Sequence, residues 1–226
     1  MLPVSMTTPD RSYTSPLRDD QARLTRRRII DAAHDRFLAQ GYAGTTIEAI
    51  ARAAGVSVQT VYNSVGNKAA VLTAVYDTAL AGDDAPVAIS ERPTFQAMLT
   101  EPDARRCLAR YAALSRELGQ RAAPLVATIL AEAGNPDLRA LAATAERQRA
   151  QGTAAVARHV ADRFGLAPGL TVDEAADILW ALTAPETMIR LVHERGWTWE
   201  RYEAWLADAM TGGVLGHPRG SAAARR

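Results

Sequence analysis

The chain has 226 residues, of which 48% are hydrophobic and 23% charged, so it can bury a sizeable core and is not a disordered polypeptide. Its 26 lysines and arginines nearly balance its 25 aspartates and glutamates, and this net charge of +1 indicates neither a basic nor an acidic partner. Cys107 is the only cysteine, which excludes an intrachain disulfide, and the four histidines lack the spacing of a shared metal site. No apolar run approaches the ~20 residues that span a membrane. We therefore expect a cytoplasmic protein without metal or cofactor.

The N-terminal part of the chain is predicted to hold an arm and one helix. Residues 1–20 contain three prolines and no apolar period, which is typical of a flexible arm. From Ala22 to Gln40, apolar residues recur at helical spacing, and Gly41 is suited to ending that helix.

The segment 45–68, TTIEAIARAAGVSVQTVYNSVGNK, predicts two short helices joined by a tight turn. Thr45 and Glu48 are spaced as a capping box at the start of the first helix. Gly55 suits the sharp turn after it, and Ser57 can cap the second helix. This is the pattern of a helix-turn-helix, whose second helix enters the major groove of DNA.

The rest of the chain is also predicted to be helical, which makes the fold class all-α. A breaker cluster at 82–86, GDDAP, suggests a boundary between a helix-turn-helix domain at 21–82 and a helical bundle at 87–212. Within the bundle, one helix is predicted to end near Gly119 and another to start at Pro124. Thr171 and Glu174 form a second capping box for a helix to Arg195, which Pro185 should kink. Residues 213–226 are predicted to be a disordered tail.

The exposed side of the second short helix carries side chains that can bind DNA. Gln59 can pair with adenine, and the methyl groups of Val58 or Thr60 can contact thymine. Tyr62 and the backbone amides at the start of the first short helix suit phosphates. An ordinary polar helix face is the alternative for this surface taken by itself. The predicted DNA-binding residues here are Thr45, Thr46, Ser57, Val58, Gln59, Thr60, Tyr62 and Asn63.

Residues 25–76 closely resemble the N-terminal domain of the TetR family of bacterial transcriptional regulators. The shared features are Gly41-Tyr42, the run from Thr46 through Ile50-Ala51 to Ala54-Gly55-Val56-Ser57, and Tyr62 followed at a fixed distance by Lys68. The chain differs from the family pattern at 65–67, where Val-Gly-Asn replaces the more common Phe-Pro-Ser.

The resemblance implies a homodimer that binds a palindromic DNA operator and is released from it by a small molecule in the helical domain. It also implies that Lys68, the only lysine of the chain, contacts a DNA phosphate. Arginines near the first helix are candidates for an arm that reaches the DNA backbone or minor groove, with a solvated helix start as the alternative. These arginines are Arg23, Arg26 and Arg27.

Two further groups of residues are predicted in the helical domain. Inward-facing residues of the middle helices are candidates for a ligand pocket, although each taken singly is more typical of a plain core. They are Met98, Cys107, Tyr111, Leu114, Trp180 and Met188. Two apolar stripes near the C-terminus are candidates for the dimer interface. They comprise Ile178, Leu182, Ile189, Tyr202, Trp205, Leu206 and Met210.

The sequence therefore favours a ligand-responsive repressor that is not an enzyme. A regulator that senses no ligand, or that activates transcription, fits the same residues. A helical enzyme or carrier would need a catalytic or cofactor-binding constellation, and the sequence shows none.

Overall fold

The structure, a computed structural model, describes residues 16–83, 85, 87–132 and 134–216. These residues form ten α-helices and no strand, so the predicted all-α class is confirmed. A 3₁₀ turn (Ile89–Glu91) and a π-helical segment (Ile189–Glu194) complete the regular structure. The helices are α1 (Pro16–Gly44), α2 (Ile47–Ala54), α3 (Val58–Ser64), α4 (Lys68–Ala81), α5 (Pro93–Thr100), α6 (Ala104–Ala131), α7 (Pro136–Phe164), α8 (Val172–Leu182), α9 (Pro185–Met188) and α10 (Trp199–Leu215).

The first hydrophobic core lies among α1 to α4. Its centre is formed by fully buried residues such as Phe37, Ile50 and Val61. Side chains from the end of α6 and the start of α7, including Ile129 and Leu138, belong to the same core. A segment of the predicted second domain thus completes the core of the first four helices, and the predicted domain division stays a prediction.

The second hydrophobic core lies among α5 to α10. Helix α6 packs along α10, and α7 packs along α8. Cys107, Val156, Leu179 and Leu206 are fully buried between these helices. Because α6 and α7 each contribute to both cores, these two helices join them.

Several helix ends differ from the sequence prediction. Residues 16–20, predicted as part of a flexible arm, are the first residues of α1, and residues 213–215, predicted as tail, are the end of α10. Buried Val214 explains the second difference, because it packs in the second core. The predicted arm residues 1–15 and tail residues 217–226 lie outside the described residues.

Helix α6 runs through Pro124, where two helices were predicted. A proline in a helix removes one backbone hydrogen bond. Ala123 and Leu125 on either side of it are buried, and this burial favours an uninterrupted helix at that point.

The helix predicted from Thr171 to Arg195 is divided at Pro185. The capping box of Thr171 and Glu174 is confirmed at its start. Ala184 adopts extended backbone (ψ 132°), as a residue before proline prefers, and α9 begins at Pro185 itself. The break brings α9 against α6, where a Cβ atom on Gly119 would lie 2.6 Å from the sulfur of Met188.

Candidate nucleic-acid interface

The turn between α2 and α3 has the geometry that the sequence predicts. Gly55 follows α2 in the left-handed conformation (φ 65°), and its N–H donates to carbonyls of the last turn. The Ser57 hydroxyl then accepts a hydrogen bond from the Thr60 N–H at 3.0 Å and caps α3. Val61 is fully buried against α2, which fixes the angle of α3 on the surface.

The start of α2 corrects the sequence prediction by one residue. Thr46, not Thr45, is the N-cap, and its hydroxyl accepts from the Ala49 N–H at 3.2 Å. The predicted capping box of Thr45 and Glu48 is therefore wrong. Thr45 is 0% exposed, and its hydroxyl donates to the Gly41 carbonyl at 2.8 Å. Its side chain consequently cannot contact DNA in this conformation.

The surface of α3 presents the polar side chains that were predicted to contact DNA. Gln59, Tyr62 and Asn63 are exposed, with Tyr62 48% exposed despite its large ring. Gln59 donates from its amide nitrogen to the Asn63 side-chain oxygen at 2.8 Å, which orders both side chains. Val58 and Thr60 are half-buried at the margin of this surface, and Ser57 is exposed.

Lys68 opens α4 in an environment that the sequence did not predict. Its ammonium nitrogen lies 4.2 Å from the centre of the Tyr42 ring, a cation–π contact. Burial lowers the pKa of Lys68, whereas the carboxylates of Glu132 and Asp137 oppose that shift. Lys68 thus contacts an aromatic ring of its own chain, and its contact with a DNA phosphate stays a prediction.

Glu132 and Asp137, at the corner between α6 and α7, hold the turn that precedes α2. Glu132 accepts hydrogen bonds from the backbone N–H groups of Tyr42 at 2.7 Å and Ala43 at 2.9 Å. The Tyr42 hydroxyl donates to Asp137 at 2.7 Å. Burial, followed by this hydrogen bond, raises the pKa of Tyr42 well above its ordinary value. Sequence analysis missed this contact, because about 90 residues separate its two sides.

The predicted arm arginines are engaged within the protein. Arg23 pairs with Asp20 at 2.8 Å, and Arg27 pairs with Asp31 at 2.9 Å, both on the surface of α1. Arg26 instead donates to the carbonyl oxygen of Ser64 at 3.0 Å, at the end of α3. Arg26 therefore positions the predicted recognition helix, and it is not directed outward as the arm hypothesis requires.

This arrangement can be compared with known proteins. The sequence profile described as "Bacterial regulatory proteins, tetR family" matches residues 29–75, from α1 into α4. The matched helices therefore belong to the TetR family.

One curated sequence and many solved structures are similar to the chain. The uncharacterized HTH-type transcriptional regulator TtgW of Pseudomonas putida is 49% identical over 55 residues, which are 24% of this chain and 41% of that protein. The aligned part thus spans about two fifths of that relative's length. NalD, the secondary repressor of the MexAB-OprM multidrug efflux pump in Pseudomonas aeruginosa, is 24% identical with a TM-score of 0.61, over 86% of this chain and 98% of that one.

A second solved structure extends the comparison. The transcriptional regulator FadR from Bacillus subtilis, in complex with stearoyl-CoA, is 18% identical with a TM-score of 0.63, over 85% and 99% of the two chains. At these identities the structures show that the whole chain shares the TetR-family fold, and the fold alone.

The predicted pocket residues divide into two groups. Tyr111, Leu114 and Met188 line a cavity of about 810 Å³ between the DNA-binding helices and the bundle. Met98 and Cys107 are fully buried in the second core away from that cavity. Trp180 is 39% exposed and lines a separate shallow depression between α7 and α8. Met98, Cys107 and Trp180 therefore do not line that cavity, and their role in a ligand pocket stays a prediction.

The predicted dimer residues also divide. Tyr202, Leu206 and Met210 are buried within the chain's own second core and offer no surface to a partner. These three residues form an apolar stripe on α10 that packs against α6. The apolar period in the sequence predicts that the stripe is covered, but it does not identify the helix that covers it. The other four residues remain half-buried at the surface: Ile178, Leu182, Ile189 and Trp205.

None of the described helices is long and apolar enough to cross a membrane.

Proposed function

We propose that this protein is a transcriptional repressor that binds a palindromic operator as a homodimer and is released by a small molecule. The observation that carries the proposal is the outward surface of α3, on a helix-turn-helix whose sequence matches the TetR family. Gln59, Tyr62 and Asn63 form a continuous exposed polar surface there. A helix presented in this way fits the major groove of DNA.

The amide side chains of α3 support sequence-specific reading. Gln59 and Asn63 are one helical turn apart and already bonded to each other, so little side-chain entropy remains to be lost when they bind. Glutamine and asparagine pair in a bidentate manner with adenine in the major groove. Tyr62 lies beside them, and its hydroxyl suits a phosphate oxygen.

Binding to the intergenic DNA upstream of the protein's own coding sequence tests the DNA-binding proposal. Tyr62→Ala should weaken binding to all DNA sequences, whereas Gln59→Ala should also change the preferred base at one position of each half-site. Gln120→Ala, which removes a glutamine from exposed α6 surface, is the matched control and should bind as the unchanged protein does. Equal affinity of all three variants and the parent for this DNA would contradict the assignment.

The dimer proposal rests on the apolar side chains left at the surface near the C-terminus. Leu182, at the end of α8, is half-buried although it packs on the second core. Leu182→Glu should therefore produce monomers in sedimentation velocity, because an interface would have to bury the new charge. Leu24→Glu, at a leucine that is 66% exposed on α1, is the control and should remain dimeric. A dimer that persists with Leu182→Glu would exclude this surface as the interface.

The ligand-release proposal rests on the cavity of about 810 Å³. Its volume lies in the range of small-molecule sites in proteins. Its walls come from α1 and α4 as well as α6 and α7, so a ligand in it contacts both the DNA-binding helices and the bundle. A ligand that binds one relative position of these helices more tightly shifts the population toward that position.

A further inference from the structure

Two arginines of α1 hold the carbonyl ends of the two helices in the helix-turn-helix. Arg28 donates to the carbonyl oxygen of Ala54, the last residue of α2. Arg26 donates to the carbonyl oxygen of Ser64, the last residue of α3, at 3.0 Å. The last carbonyls of a helix have no partner within it, and a cation beside them is favourable for the helix dipole. Each arginine therefore completes one helix end and attaches that end to α1.

The contact with Ser64 matters because α3 is a short helix with little buried surface. It is seven residues long, and Val61 is its one buried side chain. A helix of this length has little stability of its own. Val61 holds α3 near its middle, and Val58 and Val65 pack on the core only in part. The hydrogen bond from Arg26 adds a fixed point at the C-terminal end, which opposes a tilt of the helix about Val61.

The joint between α3 and α4 does not supply that fixed point itself. The N–H groups of Val65 and Gly66 both donate to the Val61 carbonyl, at 2.9 and 3.1 Å, so these bonds stay within α3 and attach it to no other helix. Gly66 adopts φ 123°, and glycine has the widest backbone freedom of all residues. The end of α3 is therefore restrained by a side chain from α1 and only weakly by the joint.

Arg26 is itself well placed to act as an anchor. Its side chain starts from a helix whose next turn, at Ile29 and Ile30, is buried in the first core. The residue is half-buried, and its guanidinium is the positive neighbour of the exposed Asp77 carboxylate on α4. The guanidinium thus lies between the end of α3 and the surface of α4, on the inner side of the helix-turn-helix.

We propose that Arg26 determines base preference indirectly: it fixes the end of α3, and thereby the direction of Gln59 and Asn63, without contacting DNA. This inference rests on the proposed function as a DNA-binding repressor and adds a positioning residue behind the DNA surface. Asn63 directly precedes Ser64, and Gln59 donates to Asn63 at 2.8 Å, so a displaced helix end moves both amides. Hydrogen bonds weaken steeply with misalignment, and a bidentate pair with a base requires two good angles at once.

Two other roles for Arg26 lead to different expectations. An arm arginine that neutralises a phosphate contributes to the salt dependence of DNA binding, and its removal lowers that dependence. A cap that serves only stability changes the fraction of folded protein and leaves DNA binding by the folded molecules as it was. A positioning residue changes both the affinity and the base preference of the folded protein, whereas the salt dependence stays the same.

Fluorescence anisotropy with the intergenic DNA upstream of the protein's own coding sequence separates these roles. Arg26→Met keeps the length of the side chain but removes its donor and charge. We expect it to weaken binding about tenfold, as the loss of one bidentate base contact does, and to reduce severalfold the discrimination against DNA with single changed bases in each half-site. The slope of log affinity against log salt concentration should equal that of the parent.

Two further variants complete the design. Arg26→Lys keeps the charge and one donor, so it should recover most of the affinity and of the base preference. Arg158→Met, at an exposed arginine of α7 outside the first four helices, is the matched control and should bind as the parent does. Circular dichroism establishes that each variant is folded at the temperature of the titration. If Arg26→Met does not fold, Arg26→Gln, which keeps a shorter donor, replaces it.

The possible results distinguish this inference from the repressor proposal. Parent-like affinity and base preference of the folded Arg26 variant would overturn the inference and leave a stabilising cap. A salt slope smaller by about one for each half-site would overturn it in favour of a phosphate contact. In both cases the parent still binds the DNA, and the repressor proposal stands. Absence of binding by the parent would overturn the repressor proposal and this inference with it.

Discussion

Replacement of Glu132 by alanine should loosen the helix-turn-helix from the bundle. In the structure, the chain leaves helical geometry at Gly41 (φ 70°, ψ 175°), within α1 and directly before the N–H groups of Tyr42 and Ala43. The Glu132 carboxylate accepts from both of them at 2.7 and 2.9 Å. Without this carboxylate, the two donors have only water as a partner.

The magnitude follows from the number and kind of these contacts. A hydrogen bond to a charged group contributes ~1.5–3 kcal/mol in mutational series. Glu132 is half-buried, and water can replace part of the loss, so we take the low end and expect Glu132→Ala to lower the free energy of unfolding by about 2 kcal/mol. For a chain of this size, that corresponds to a decrease in Tm of about 4–8 °C.

Thermal and urea unfolding followed by circular dichroism measure this loss. Glu132→Gln, which retains one good acceptor oxygen, should lose less than Glu132→Ala. Glu194→Ala, at an exposed glutamate of the π-helical segment, is the matched control and should change stability little. If Glu132→Ala and Glu194→Ala unfold at the same midpoint, the carboxylate does not hold the turn and the reasoning fails.

Three further predictions concern single side chains. Thr45→Val should lower the free energy of unfolding by about 1–2 kcal/mol, because the carbonyls of Arg36 and Gly41 lose a buried donor. The DNA affinity of the folded protein, measured by gel-shift titration, should not change. A large loss of affinity would instead indicate that Thr45 contacts DNA. Ser57→Ala should cost about 1 kcal/mol through loss of the α3 cap, measured by urea unfolding, and an unchanged midpoint would contradict the capping role. Tyr202 has its pKa raised by burial from 10.0 to about 12, so it stabilises the fold fully below pH 10 and loses that contribution as the pH rises toward 12. Tyr202→Phe should therefore flatten the fall in stability over pH 10–12 in unfolding titrations, and an equally steep fall would refute this source of pH dependence.

Local sequence patterns predicted the helix-turn-helix well. Gly55 and Ser57 decide the turn between α2 and α3 by backbone conformation and capping, and both effects act within a few residues. The capping box at Thr171 is local in the same sense. The error at Thr45 arose because Thr45, unlike Thr46, has a glutamate three residues later, which is the capping-box pattern. Only the direction of the chain after Gly41 decides which hydroxyl turns inward.

Long-range contacts could not be predicted in this way. An apolar stripe on α10 shows that some partner covers Tyr202 and Leu206, but not whether that partner is α6 or a second chain. Arg26 lies in an arginine-rich segment that is typical of a DNA-binding arm. Its hydrogen bond to Ser64 depends on how α1 crosses α3, and a local sequence pattern does not contain that information.

The contacts of Arg26 and Glu132 connect the cavity to the DNA-binding surface from two sides. Arg26 lines the cavity and also donates a hydrogen bond to the carbonyl oxygen of Ser64 at the end of α3. Helix α6 carries Tyr111 on the cavity wall, and Glu132 directly follows its last residue. Because α6 is continuous through Pro124, a shift of its cavity-facing part also moves Glu132 and the turn that it holds. Tightly packed helices transmit such shifts because their interiors have low compressibility. Under the proposed release by a small molecule, a ligand in the cavity would therefore not need to reach α3 to change the position of α3 relative to DNA.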